Sequence, residues 1–294
     1  MKKFADKIKR VGFIGNLDKA GCAIIVRGAA RLIQRAGRKV ICEAQMARLA
    51  GLKSATAADA KSLAREVDLL LVFGGDGTML RVAREVAGSS TPLLGINLGG
   101  LGFLTAVPSD ELPRALKHLW RGEFKFEARD LIEACGICQG RNICAAALND
   151  IVVSRGAVSR LITLDVSVDG ELVTRYRCDG LIISSPTGST AYSLAAGGAV
   201  VLPTAEVFAL TPICPHALSN RSIILPLSSV IRVKAVNPQP ATILSADGQV
   251  VAEMDAGDEI TIRRSHSAIR LMQIADSSFL EALRRKLHWR GTYL

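Results

Sequence analysis

The stretch VDLLLVFGGDGT, from Val67 to Thr78, decides the fold of the first part of the chain. Its run from Val67 to Phe73, apolar except for Asp68, predicts a buried strand, and the glycine-rich GGDGT at Gly74 to Thr78 predicts a tight turn. Apolar residues then recur at helical spacing, so the stretch predicts strand, turn and helix in succession. Backbone amides exposed in such a turn, at the start of a helix, suit a phosphate group.

The acidic side chain of Asp76 needs a separate explanation, because a carboxylate repels phosphates. It can act on a hydroxyl group that is to be activated, or it can bind a magnesium ion. It can equally be the cap of an ordinary strand-to-helix turn. Short glycine motifs recur in unrelated proteins, so this stretch alone leaves the alternatives open.

The remainder of the first part alternates strand and helix patterns. Strands are predicted over Arg10–Gly15, Arg38–Cys42 and Leu93–Asn97, and helices over Ala20–Ala36, Ala57–Glu66 and Glu111–Arg121. This alternation is typical of a parallel sheet covered by helices. A second glycine loop, Gly99-Gly100-Leu101-Gly102, also follows a strand. Because ligands bind beyond the carboxyl ends of parallel strands, we expect both glycine loops to line one crevice.

After about residue 125 the pattern changes to the period of two that is typical of antiparallel strands. Residues Ile162 to Val168 alternate and end in Asp169-Gly170, which indicates a hairpin, and Asp247-Gly248 indicates another. We therefore predict an α/β domain with a parallel sheet at 1–125 and a β-rich, sandwich-like domain at 126–275. A helix over Ser277–Leu287, within a final segment 276–294, is predicted to pack back on the first domain.

Composition narrows the class of protein. The 294 residues are 49% apolar, yet the apolar runs are too short to cross a bilayer and charged residues interrupt any signal peptide, so we expect a cytoplasmic protein. The formal charge of +10 suits anionic partners. Much of it lies at the termini without interleaved aromatic residues, so we predict binding of neither nucleic acid nor membrane. The seven scattered cysteines predict reduced thiols, and the CxxC at Cys135 to Cys138 is interpreted as apolar filler in a hairpin.

Three groups of residues in the sequence are candidates for ligand binding. The stretch from Asp179 to Ser193 runs from a strand into a loop dense in hydroxyl groups, which can bond ribose, amide and phosphate oxygens but are more often plain turns and caps. Tyr192 there can pack on a base. The pair Asn149-Asp150 suits an adenine edge and ribose hydroxyls. The candidate phosphate ligands are Arg81, Arg160 and Arg177, although most arginines are solvated.

Several common motifs are absent from the sequence. It has no GxxxxGK[ST] and no GxGxxG after a strand, which argues against a P-loop kinase and an ordinary dinucleotide-binding domain. Neither HExxH nor GxSxG occurs. The histidines are isolated from one another, so each is more typical of a structural or surface residue than of a catalytic one.

Taken together, the motifs resemble those of the NAD kinase family. The similarity covers GGDGT at Gly74–Thr78, NLGGLGFLT at Asn97–Thr105, Asn149-Asp150, DGLIISSPTGSTAYSLAAGG at Asp179–Gly198 and TPICPHALSNRSIILP at Thr211–Pro226. GGDGT is shared with diacylglycerol-kinase-like and phosphofructokinase-like enzymes, whereas the two long segments are specific. The resemblance implies transfer of the γ-phosphoryl group of ATP to the 2′-hydroxyl of the adenosine ribose of NAD, giving NADP. It also implies Mg²⁺ or another divalent cation carried by ATP, with no metal site on the protein itself.

By this resemblance, Asp76 is the catalytic residue, which orients or deprotonates the acceptor hydroxyl. The residues implied to bind substrate are Asp76, Gly77, Arg81, Asn149, Asp150, Arg160, Arg177, Asp179, Thr190, Ala191, Tyr192, Ser193, Leu194, Ala195 and Gln249. Domain 1–125 is then the nucleotide-binding domain that carries GGDGT, and domain 126–275 binds NAD. The family also implies a homodimer or homotetramer.

The chain departs from the family at a few positions, and two rival functions remain. Asp150 replaces a commoner Glu, Ser185 a Thr and Ala195 a frequent Ser, and none of these changes removes a group that the reaction must have. A lipid kinase that shares GGDGT is one rival. The sequence, however, lacks the amphipathic basic helix with exposed aromatics that is expected of a membrane-binding protein. The other rival, a non-catalytic NAD(P)-binding sensor, has no use for an acid at Asp76.

Overall fold

The structure is a computed structural model, and it describes residues 1–16, 18–19, 21–100, 102–105, 107–217, 219–237, 241–274 and 278–289. Leu101 and Leu218, which belong to two of the motifs, lie outside the described residues, as do Ser277 at the predicted start of the last helix and parts of the segment 276–294. The chain forms two compact units, Met1–Ala128 with Ala268–Leu294, and Arg129–Ser267.

The helices and strands follow one another along the chain in this way. As far as residue 121 they are α1 Lys2–Ala5, β1 Arg10–Gly15, α2 Cys22–Arg35, β2 Lys39–Glu43, α3 Ala44–Ala50, β3 Ala55–Ala57, α4 Ala60–Glu66, β4 Leu69–Gly74, α5 Asp76–Glu85, β5 Leu93–Asn97, β6 Val107–Pro108 and α6 Leu112–Arg121. The later ones are β7 Phe124–Cys138, β8 Arg141–Ala147, β9 Asp150–Arg155, β10 Ile162–Val168, β11 Glu171–Cys178, β12 Gly180–Ser184, a 3₁₀ helix Thr187–Thr190, α7 Tyr192–Ala195, β13 Val207–Ile213, β14 Ile223–Pro226, β15 Ile231–Ala235, β16 Thr242–Ala246, β17 Gln249–Met254, β18 Glu259–Ile274 and α8 Phe279–Lys286.

The first unit is built on a parallel sheet with the strand order β3-β2-β1-β4-β5, as the alternating pattern predicts. β4 lies between β1 and β5, and all its residues are buried, which explains its continuous apolar run. The C-terminal end of β18 continues the sheet beside β5, where Leu271 pairs with Leu93. GGDGT therefore leaves the middle of the sheet at the carboxyl end of β4.

The second unit is antiparallel. One sheet has the order β11-β10-β15-β18, the other has the order β14-β13-β12-β9-β16-β17, and β7 and β8 form a hairpin. Side chains of both sheets share one core, such as Leu164 and Val233 from the first and Ile183 and Leu244 from the second. The predicted sandwich-like architecture is confirmed.

The hairpin turns of this unit follow from glycine and from positive backbone angles. Asp169 and Gly170 have φ of 52° and 89° between β10 and β11, and Asp247 and Gly248 have φ of 46° and 75° between β16 and β17. Both dipeptides adopt positive φ at each central residue, as a type I′ turn requires. The two predicted hairpins are confirmed.

In the first unit, the helix predicted over Ala57–Glu66 begins at Ala60, since Ala57 ends β3, and α3 was not predicted. Two features of the second unit also differ from the sequence-based expectations. The hydroxyl-rich segment is not a plain loop, because Thr187–Thr190 and Tyr192–Ala195 are helical. The prediction of reduced cysteines was wrong for one pair, since Cys135 and Cys144 form a disulfide. They stand directly opposite each other across β7 and β8, with Cα atoms 4.1 Å apart, a register that the spacing along the chain does not reveal. Among the described residues, no helix is long and apolar enough to span a membrane.

Candidate active site

The carboxylate of Asp76 is fixed by the loop that follows β5. Asp76 is the first residue of α5, and its Oδ1 accepts hydrogen bonds from Leu104 N at 3.0 Å and from Thr105 N and Oγ1, both at 3.2 Å. Its Oδ2 accepts a bond from Phe103 N at 2.8 Å. A carboxylate that takes donors from another loop is not merely a cap of its own helix. Its orientation is set before any ligand arrives.

Glycine and asparagine shape the loop that holds Asp76. A Cβ at Gly102 would overlap Asp76 Oδ1 and Thr105 Oγ1 and would stand 2.8 Å from Asp76 Cγ, so only glycine fits there. Asn97 Nδ2 donates to Gly100 O at 2.7 Å and to Thr105 Oγ1 at 3.0 Å, while its Oδ1 accepts from Gly99 N at 2.7 Å. Asn97 is buried, so one side chain ties the glycine turn to the hydroxyl that bonds Asp76.

The two glycine loops thus meet as predicted. They meet through Asp76, and Leu98 N also donates to Gly74 O at 3.1 Å. A Cβ at Gly74 would lie 2.6 Å from Thr78 Cβ, so this glycine permits close packing at the start of α5. GGDGT and NLGGLGFLT therefore form one structural group.

Gly77 and Arg81 line an open cleft of about 480 Å³ in the same unit. The other lining residues come mainly from the carboxyl ends of β1 and β2 and from the start of α5; they are Gly15, Asn16, Asp18, Glu43, Gln45 and Thr78. Arg81 Nη1 bonds Glu85 at 3.0 and 3.2 Å, and its Nη2 donates to Gly15 O at 3.3 Å. Burial raises the pKa of Glu43, an effect that Arg81 opposes. The bonds to Glu85 and to Gly15 O hold the guanidinium of Arg81 at the wall of the cleft.

In the second unit, the β16–β17 turn holds Asn149 and Asp150 by hydrogen bonds to their backbone. The carboxylate of Asp247 accepts bonds from Leu148 N at 3.0 Å, Asn149 N at 2.7 Å and Asp150 N at 3.3 Å. Asp150 is 5% exposed. Burial, with the Asp247 carboxylate as the second cause, raises the pKa of Asp150 to about 7.

The hydroxyl-rich segment lies against Asn149. Ser185 N donates to Asn149 O at 2.8 Å, and Ser185 Oγ donates to Leu148 O at 2.5 Å. A Cβ at Gly188 would stand 2.7 Å from Asn149 Cα, so glycine is required for this approach. The structure therefore brings Asn149, Asp150 and the start of this segment together.

The hydroxyl groups of the segment divide into buried and accessible ones. Ser189 Oγ donates to Pro186 O at 2.8 Å, and Ser193 Oγ lies 3.1 Å from Thr211 Oγ1, so both are committed inside the protein. Tyr192 is 48% exposed. The remaining predicted members, Thr190, Ala191, Leu194 and Ala195, are partly buried or exposed. Of the predicted substrate-binding residues in this segment, Ser193 is buried and hydrogen-bonded to Thr211, whereas about half of Tyr192 is exposed to solvent.

The charged candidates of the second unit are more scattered. Asp179 Oδ1 accepts a bond from Arg155 Nε at 2.8 Å, an ion pair that the sequence analysis did not foresee. Arg160 and Arg177 are exposed, and Gln249 is exposed at the first position of β17. The backbone oxygen of Arg177 accepts from His216 N at 2.8 Å, which places the PICPH segment beside it.

The comparisons with known proteins agree with this geometry. Residues 11–124 match the family model of the ATP-NAD kinase N-terminal domain, and residues 148–274 match that of the C-terminal domain. An NAD kinase of Syntrophotalea carbinolica is 38% identical over 286 residues, covering 96% of this chain and 99% of its own. The chain belongs to the NAD kinase family. An NAD kinase of a Polaromonas species is 40% identical over 284 residues, covering 96% of this chain and 97% of its own.

Solved structures of NAD kinases have the same fold. Yeast NADH kinase complexed with NADH has a TM-score of 0.89 at 28% identity, covering 98% of this chain and 89% of its own. An NAD kinase of Archaeoglobus fulgidus in complex with ATP has a TM-score of 0.75 at 26% identity, covering 96% of this chain and all of its own. The resemblance to the NAD kinase family is confirmed, as is the prediction that the chain is an enzyme of this class. The lipid kinase and the sensor gain no support from these comparisons.

Several residues that shape the site were missed in the sequence. Gly102 was noted only as part of a glycine loop, and Arg155, Asp247 and Lys286 were not identified as contacts of candidate residues. Lys286 Nζ lies 3.7 Å from Asp76 Oδ2. The repeated pattern of a buried strand followed by a glycine loop indicates the importance of Gly102. No local sequence pattern predicts the other contacts, which join residues 24 to 210 positions apart.

The raised pKa of Asp150 predicts a pH-dependent stability. The unfolded chain releases this proton near pH 4 and the folded chain near pH 7, so the stabilising contribution is complete below pH 4 and is lost as the pH rises to about 7. Asp150→Asn removes the titration. Relative to the wild type, we expect the free energy of unfolding of the variant to rise between pH 5 and pH 8 by about 3 kcal/mol, since about two pKa units of the shift fall in this range at 1.36 kcal/mol per unit.

Denaturant unfolding at pH 5 and pH 8 measures this difference. Asp165→Asn is the control, because the hydrogen bond from Arg175 lowers the pKa of that partly buried carboxyl, so its removal has no such effect between pH 5 and pH 8. A difference between Asp150→Asn and wild type that stays constant from pH 5 to pH 8 contradicts the assignment.

Proposed function

We propose that Asp76 is the catalytic carboxylate of the ATP-dependent NAD kinase reaction and that its Oδ2 accepts a hydrogen bond from the 2′-hydroxyl of the adenosine ribose of NAD. One observation carries this proposal. Among the described residues, Oδ1 of Asp76 has three donors around it, whereas Oδ2 has one backbone donor, with Lys286 Nζ 3.7 Å away, and retains acceptor capacity. A hydroxyl group can therefore donate to Oδ2 while the loop continues to hold Oδ1.

The chemistry asked of Asp76 is modest. In a loose phosphoryl-transfer transition state, the new bond forms late and the proton leaves late, so alignment of the hydroxyl matters more than early deprotonation. The fixed carboxylate supplies that alignment and then accepts the proton. Its rigidity is an advantage, because no reorganisation is needed when the substrate arrives.

We assign the phosphoryl donor, ATP, to the open cleft that Gly77 and Arg81 line. Its opening at the start of α5 offers backbone amides and the positive end of a helix to phosphate oxygens. ATP is the donor in the family description, and we assign Mg²⁺ or another divalent cation to its phosphates, where it would neutralise charge. The cation needs no dedicated protein cage for this role.

We assign the dinucleotide to the second unit. Asn149, Asp150 and the exposed face of Tyr192 are suited to adenosine, because amide and carboxyl groups bond its edge and ribose while an aromatic ring stacks on it. The exposed Arg160 and Arg177 are suited to the diphosphate. Asp179 is assigned an indirect part, since Arg155 already occupies one of its oxygens. Thr190, Ala191, Ser193, Leu194, Ala195 and Gln249 complete the proposed set.

Two further features remain predictions. A homodimer or homotetramer is supported by Leu172, which is 65% exposed on β11 at the end of a sheet, a position suited to strand association. The cytoplasmic location rests on the sequence alone.

The test is incubation of the purified chain with ATP, MgCl₂ and NAD, with NADP measured by a coupled NADP-specific dehydrogenase. We expect NADP to form in proportion to enzyme and to require ATP and the divalent cation. Parallel reactions with NADH and with diacylglycerol vesicles distinguish the alternatives. Phosphorylation of diacylglycerol without NADP formation contradicts the proposal.

A further inference from the structure

We propose that Lys286, on the last helix, contacts the transferring phosphoryl group, so that the C-terminal segment completes the kinase site. This inference rests on the proposed role of Asp76. Lys286 Nζ lies 3.7 Å from Asp76 Oδ2, on the oxygen that has acceptor capacity left for a hydroxyl. The ammonium therefore stands where the acceptor oxygen and the γ-phosphorus must meet.

The distance between these two atoms favours a ligand between them. At 3.7 Å the pair is longer than a direct N–H···O bond, which is about 2.7–3.2 Å. One oxygen atom can lie about 2.8 Å from each of two atoms that are this far apart. That oxygen can be the acceptor hydroxyl, and because the ammonium has three N–H donors, Nζ can at the same time bond an oxygen attached to the incoming phosphorus. The carboxylate of Asp76 then contacts the acceptor hydroxyl, and the ammonium of Lys286 contacts the phosphoryl group that is transferred to it.

The position of Lys286 is fixed by the same loop that fixes Asp76. Its Nζ lies 4.6 Å from the centroid of the Phe103 ring, over its face, and the backbone N of Phe103 donates to Asp76 Oδ2. The ring of Phe103 also lies 5.8 Å from that of Phe279, at the first position of α8. Phe103 thereby connects the helix, the ammonium and the carboxylate.

The neighbouring basic residues do not share this environment. Arg284 and Arg285 are exposed, whereas Lys286 is partly buried with a side chain 30% exposed, and Leu283 of the same helix is buried. α8 therefore directs one of three consecutive basic residues toward Asp76. A simple solvated basic tail would not make this distinction.

The transfer replaces one bond to the γ-phosphorus by another. The 2′-hydroxyl oxygen forms a bond to the γ-phosphorus, the bond from this phosphorus to the bridging oxygen breaks, and its electron pair leaves with ADP. The hydroxyl proton passes to Asp76. Lys286 stays protonated and makes no covalent bond, and it stabilises charge on the phosphoryl oxygens as a point charge.

The test compares Lys286→Met, Lys286→Arg and Arg285→Met in the full chain. Methionine keeps most of the apolar stem and removes the charge, and we expect kcat to fall about 10²–10³-fold, the cost of losing one transition-state donor. The KM for NAD and the thermal midpoint are expected to stay near wild type. Lys286→Arg should recover part of kcat, and Arg285→Met, which removes the same charge from an exposed position, should behave as wild type.

The outcomes separate this inference from the proposed function. If the wild type forms no NADP, the proposed function fails. If the wild type is active and Lys286→Met retains its kcat, or if Arg285→Met loses as much, Lys286 has no contact with the phosphoryl group. A fall in kcat that is matched by a lower thermal midpoint and is not recovered by Lys286→Arg shows a structural role and also overturns the inference.

Discussion

Asp76→Asn is expected to lower kcat by about 10²–10⁴-fold, the range for loss of a positioned acid–base group, while NAD still binds. The amide oxygen can replace Oδ1 as acceptor for Leu104 and Thr105, but the amide nitrogen then points at Phe103 N, where two donors oppose each other. The nitrogen also cannot accept a substrate hydroxyl. Turnover is measured by NADP formation, and NAD affinity by equilibrium dialysis.

The lost bond at Phe103 N also costs stability, so a matched control is needed. Asp68 provides it, because its Oδ2 accepts Lys9 N and Arg10 N, both at 2.8 Å, outside the GGDGT and NLGGLGFLT loops. Asp68→Ala removes both of these backbone bonds and should lower the thermal midpoint with nearly unchanged kcat. Near-normal NADP formation by Asp76→Asn would remove the proposed role, whatever the change in stability.

Gly102→Ala is expected to lower kcat at least 10²-fold, although it changes no polar group. The new methyl group would overlap Asp76 Oδ1 and Thr105 Oγ1, so either the carboxylate or the loop must move. A displacement of about 1 Å at a reacting group costs about this much in rate. The measurement is kcat with NAD saturating, since the second unit is untouched.

Gly100→Ala is the matched control for this loop. An added Cβ at Gly100 meets no described atom within 4 Å, and the residue is exposed. We expect this variant to keep wild-type kcat. Equal activity of the two alanine variants means that the contact between Gly102 and Asp76 does not control catalysis.

Much of the fold was predictable because local chemistry determines it. The continuous apolar run of β4 predicts a strand buried on both faces, and Asp169-Gly170 and Asp247-Gly248 predict their hairpins through the positive φ that such dipeptides tolerate. The joint placement of the two glycine loops follows from parallel strands, whose carboxyl ends share one edge. These inferences need only neighbouring residues.

The supporting contacts of the site were not predictable in this way. Asp247 grips amides about 100 residues away, and Lys286 approaches an acid 210 residues earlier. Such pairs depend on the packing of whole elements, to which no single spacing corresponds. Cys135 and Cys144 show the same limit, because their pairing follows from a strand register that their distance along the chain leaves undetermined.

The support of Asp76 by a second loop has a consequence for chimaeric enzymes. The acid comes with residues 74–78, but its orientation comes from Phe103, Leu104 and Thr105, with Asn97 behind them. Transfer of GGDGT alone into another parallel sheet would bring the carboxylate without the hydrogen bonds that orient it. The two loops therefore have to come from the same parent. Chimaeras with a breakpoint between residues 78 and 97 combine loops from different parents and should be folded but inactive.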